Sequence, residues 1–116
     1  MAVLDESILH RHAYGNSALM AEQLDHLATC AQWPNVQVHV VPSSVGMYTG
    51  LSGGFIIAET PEGGHVAHAD SQIAAQIVER PSDIARLADR WERIRGEALT
   101  RQQSLDLIKK AAATWT

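Results

Sequence analysis

The sequence holds a single cysteine, Cys30, in 116 residues, so no disulfide framework can form within the chain. Aromatic residues make up only 5%, which leaves aliphatic side chains and alanine to fill most of the core. No apolar run approaches the roughly 20 residues that a membrane-spanning helix needs. The opening Met1-Ala2-Val3-Leu4-Asp5-Glu6 turns acidic at once, unlike a signal peptide. A cytoplasmic protein with no membrane association is expected. Basic charge is also short: the formal net charge is −4, which argues against nonspecific nucleic-acid binding through this chain, because phosphate neutralisation needs a basic face. Internal repeats, low-complexity tracts and interdomain linkers are missing, so residues 1–116 read as one domain.

What is present is a hydrophobic share of 46%, enough for a modest globular core. Ala2-Val3-Leu4 reads as a short strand, and Asp5 to Arg11 as one helical turn with carboxylates at its positive end. A loop follows over His12-Ala13-Tyr14-Gly15-Asn16. A helix capped by Asn16 or Ser17 then runs to about Gln32, with Met20, Leu24, Leu27 and Ala31 on its apolar face. Trp33-Pro34-Asn35 stops it.

Strands are predicted at 36–41, 54–59 and 65–69, with Val36, Val38 and Val40 on one face of the first and Gln37, His39 and Val41 on the other. An antiparallel meander of these three is the simplest arrangement. Residues 71–79 are ambiguous, with a strand bias in Ile77-Val78-Glu79. Pro81 opens a helix to about Leu99, its stripe formed by Ile84, Leu87, Trp91 and Ile94. Thr100 and Gln103 match a capping box, which starts a last helix with Leu105, Ile108 and Ala112 inward and Trp115 near its end. The fold class is therefore α+β, a small antiparallel sheet of three to four strands packed by one long helix and two C-terminal helices.

The stretch 42–54, between the first two strands of the meander, holds four glycines and few charges. It lacks the Lys-Ser/Thr of a phosphate loop, and Ser52 does not sit in a Gly-x-Ser-x-Gly elbow. Within it Tyr48 is the best contact candidate, as a side chain with both an aromatic face and a hydroxyl, against the reading of a packed loop anchor. The six histidines include pairs at His10/His12 and His65/His68, but neither spacing suits ligation, and no metal or other cofactor is expected. His39 either lines a pocket or faces water. Cys30 reads as a small hydrophobe, since nothing near it in the sequence reads as an activating base. Trp33, Trp91 and Trp115 read as core or interface residues, and burying Trp115 requires the last helix to dock, on this chain or on another subunit.

The order of motifs carries a resemblance. Val3-Leu4-Asp5-Glu6, Met20-Ala21-Glu22-Gln23-Leu24 and Trp33-Pro34-Asn35-Val36-Gln37-Val38 are followed by Val41-Pro42, Gly46…Gly50-Leu51…Gly54-Phe55, a helix containing Leu87 to Arg95, and Ala98-Leu99-Thr100…Ser104-Leu105-Asp106-Leu107-Ile108. Together they resemble the C-terminal, antitoxin-like effector domain of bacterial Xre-type helix-turn-helix regulators. That resemblance implies a domain that receives a signal or a small partner protein, often one encoded beside it, while a separate helix-turn-helix binds DNA. The helix-turn-helix and the helical segment that usually precedes the first strand are absent, so DNA binding does not carry over. The Leu9-His10-Arg11-His12 segment also departs from the pattern.

The expected function is a non-enzymatic sensor or partner-binding module of such a regulator, with His39, Tyr48, Leu51 and Phe55 as ligand or partner contacts. An open sheet edge and apolar surface further predict a homodimer. The alternative is a small standalone enzyme of the cyclase or isomerase type in specialised metabolism, using His39, Tyr48, His65 or His68 around an apolar pocket.

Overall fold

The computed structural model describes residues 1–13 and 15–115; Tyr14, in the expected 12–16 loop, lies outside the described residues. These form three α-helices, a three-stranded antiparallel sheet and a two-stranded parallel pair, an α+β arrangement. The chain divides into two compact units, one made of Met1–Gly46 with Glu97–Thr116 and the other of Met47–Gly96. Among the described residues no helix is long and apolar enough to cross a membrane.

In the discontinuous unit, β1 (Ala2–Asp5) lies parallel to β2 (Val38–Val41), with Ala2 opposite Val38 and Asp5 opposite Val41. Parallel neighbours need a long crossover, and α1 (Ser17–Cys30) supplies it. The expected meander therefore needs a correction: strand 38–41 pairs with the N-terminal strand and not with 55–59. Asn16 is the cap of α1, its side chain accepting the Leu19 N–H at 3.0 Å. The helix ends at Cys30, two residues before the expected stop. Just past its end sits a cation from far along the chain: the Arg101 guanidinium donates to Ala31 O at 3.1 Å and Trp33 O at 2.9 Å, placing positive charge at the negative end of the helix.

The unit's core brings together Leu9, Leu24, Ala28, Ala31, Val38, Val40, Ile108, Ala111 and Ala112. The predicted stripe of α1 is in place, but Ala21 and Ala28 are buried as well; the alanines let α1 and α3 (Arg101–Thr114) approach closely. The capping box at Thr100 forms as expected, with Gln103 N–H on Thr100 Oγ1 at 3.2 Å and Thr100 N–H on Gln103 Oε1 at 3.1 Å. Trp115 docks within this same unit, its indole N–H donating to Leu9 O at 2.8 Å.

Beyond Gly96 the helix expected to reach Leu99 gives way to a turn at Glu97 and Ala98, and Leu99 is engaged by β2. Its N–H donates to Val40 O at 2.9 Å, and its carbonyl accepts the His39 ring at 2.8 Å. The Val40 N–H goes to Ser104 Oγ at 2.9 Å. These contacts cover the edge of β2 that β1 leaves open, in place of a third strand.

In the continuous unit, β3 (Phe55–Glu59), β4 (His65–Ala69) and β5 (Gln76–Val78) form an antiparallel meander in that order. The ambiguous stretch thus holds a strand where its β-branched residues lie. The Thr60–Gly64 turn closes β3 onto β4 through Thr60 N–H on Gly64 O at 2.8 Å. Helix α2 (Pro81–Gly96) packs on β3 and β4, with Ile94 buried and Ile84, Leu87 and Trp91 half-buried along the expected stripe. Its outer face carries exposed pairs, Arg93–Asp89 and Arg95–Glu92, of a kind that adds little stability.

Candidate functional site

Three residues line up across the meander. In β3–β4 Ile56 is opposite His68, and in β4–β5 His68 is opposite Ile77. Directly opposed residues of antiparallel strands project to the same face, with side chains about 5 Å apart. The row Ile56–His68–Ile77 therefore runs across the whole sheet, with Ala58 and Val66 beside it. The opposite face holds Phe55, Ile57, Ala67 and Val78 and is the packed one: Ala67 is 2% exposed. On the outer face Ile56 and Ile77 are each 64% exposed, although isoleucine is normally among the most buried residues. Covering one of them would contribute on the order of 1–2 kcal/mol. Polar character on this face comes from His68, whose Nδ1 lies 3.4 Å from the Asp70 carboxylate. Met47 and Ile73, elsewhere in the same unit, are almost wholly exposed.

Of the residues singled out from the sequence, Leu51 is exposed, in the 3-10 turn Thr49–Ser52. Tyr48 is half-buried and its ring lies over Gly50, where any Cβ would collide with it. The ring thus packs back on its own loop. Phe55 is half-buried on the packed face of β3. His65 and His68 occupy opposite faces of β4, as alternation requires, so they do not converge.

His39 belongs to the discontinuous unit, at the centre of β2. Because Leu99 O can only accept, the proton sits on Nδ1. Its Nε2 is, among the described residues, the buried side-chain nitrogen or oxygen left without a hydrogen-bond partner. The 42–54 stretch is not a hairpin connection; it leads from the parallel pair to the antiparallel sheet through two 3-10 turns, Ser43–Val45 and Thr49–Ser52, separated at Gly46 with φ +78°.

Other ionisable groups diverge. His10 Nε2 lies 3.1 Å from Glu6 Oε2, whereas the His12 ring meets Trp115 edge-on at 4.9 Å. Among the described residues no group of three or more His, Cys, Asp or Glu side chains could hold a metal ion. Cys30 does have a base beside it, in contrast to the sequence reading: His26 Nε2 is 3.5 Å from its Sγ, one helical turn away. The i,i+4 spacing was the available signal.

The acidity of Glu6 is clearly shifted. Its carboxylate accepts the Ser43 N–H at 2.9 Å; that bond is the largest cause, and with help from His10 it holds the pKa below the ordinary glutamic-acid value against the opposing effect of burial. A depressed carboxylate pKa contributes stability above its unfolded value, lost as pH falls through the folded one. Urea midpoints taken from pH 7 to 3 should therefore drop more for the native chain than for Glu6→Gln, which at neutral pH costs about 1 kcal/mol or less. Identical acid profiles would remove this role.

Comparisons with curated proteins and with solved structures return no match. The sequence model of a domain of unknown function, DUF5753, matches residues 1–110, and the chain belongs to that family.

Proposed function

We propose that this chain is a non-enzymatic partner-binding module of an antitoxin-like transcriptional regulator of the Xre type, and that the outer face of the β3–β4–β5 sheet is its contact surface. The observation that carries the reading is the pair of isoleucines, Ile56 and Ile77, each 64% exposed on either side of His68. With Ala58 and Val66 beside them they leave an apolar sheet face open around His68, and exposed apolar patches mark interaction sites in soluble proteins. The order of motifs from Val3 to Ile108 supports the regulator assignment. The divergence of His65 from His68 supports a binding role over a histidine-pair catalyst. Self-association through this face is the first expected use, giving an isologous homodimer in which isoleucines from both copies exclude water.

Sedimentation velocity at micromolar concentration tests this. The native chain should sediment as a dimer, and the double variant Ile56→Asp with Ile77→Asp as a monomer with unchanged far-ultraviolet circular dichroism. A native chain that is a stable monomer, or a double variant that still dimerises, would overturn the assignment of this face to self-association.

A further inference from the structure

We draw no further inference here: the strongest candidate, the His26–Cys30 side-chain pair on the last turns of α1 with Nε2 and Sγ 3.5 Å apart, carries nothing because, among the described residues, no second group beside this lone thiol points to a ligand.

Discussion

Replacing Ile108 by alanine should cost about 2–5 kcal/mol, a large share of the roughly 5–15 kcal/mol that holds a domain folded. Ile108 is 0% exposed and lies in the cluster built from Leu9, Leu24, Val38, Val40 and the alanines of α1 and α3. Truncation removes its transfer free energy and leaves a cavity that helices already in close approach cannot readily refill. Urea unfolding followed at 222 nm is the measurement. The control is Ile73→Ala, the same truncation at a side chain 99% exposed, which should stay within about 0.5 kcal/mol of the native chain. Equal effects at the two positions would mean that Ile108 is not a core residue.

The second large effect is expected at Ser104, a fully buried polar side chain. Its hydroxyl accepts the Val40 N–H at 2.9 Å and lies 3.4 Å from Leu99 O, to which it donates. Ser104→Ala leaves the Val40 N–H buried without an acceptor, at a cost of about 1–3 kcal/mol. Amide hydrogen exchange at Val40 should accelerate along with the loss of stability. His39→Phe offers an informative contrast. It removes one hydrogen bond to Leu99 O but also the unpaired Nε2, so the two effects oppose and the net change should be within about 1 kcal/mol. A His39→Phe chain as destabilised as Ser104→Ala would show that the imidazole does more than hold the carbonyl.

Local signals in the sequence translated well into structure. The Thr100 capping box, the stripe of α2 and the strand 65–69 follow from side-chain chemistry within a few residues, and they stand where expected. Strand pairing was less legible. Val38 and Val40 report that one face of β2 is buried, but not which strand lies beside it. The answer depends on α1 returning the chain alongside β1 and on Leu99 and Ser104 filling the other edge, partners 60 or so residues away. The candidate site was half legible. His68 was singled out from the sequence, though as a catalytic candidate, whereas Ile56 and Ile77 on either side of it were not. The signal for Ile56 was the unbroken apolar run Phe55-Ile56-Ile57-Ala58, which makes both faces of a strand apolar. The unit has one α-helix among its described residues, packed on β3 and β4, and Ile56 and Ile77 on the other face stay exposed.

The split of one unit across the sequence bears on the order in which the molecule is made. Residues 47–96 are continuous, so β3, β4, β5 and α2 can pair and pack as soon as that stretch is synthesised. The other unit cannot. Val40 waits for Ser104 across 64 positions, and Leu9 for Trp115 across 106. During synthesis β1, α1 and β2 are therefore exposed until α3 emerges, because Ile108, Ala111 and Ala112 of their core are still missing. Closure of such distant contacts carries the loop entropy that slows folding. Residues 1–41 are therefore the stretch expected to be most vulnerable to aggregation during synthesis, and they do not include the exposed isoleucines Ile56 and Ile77.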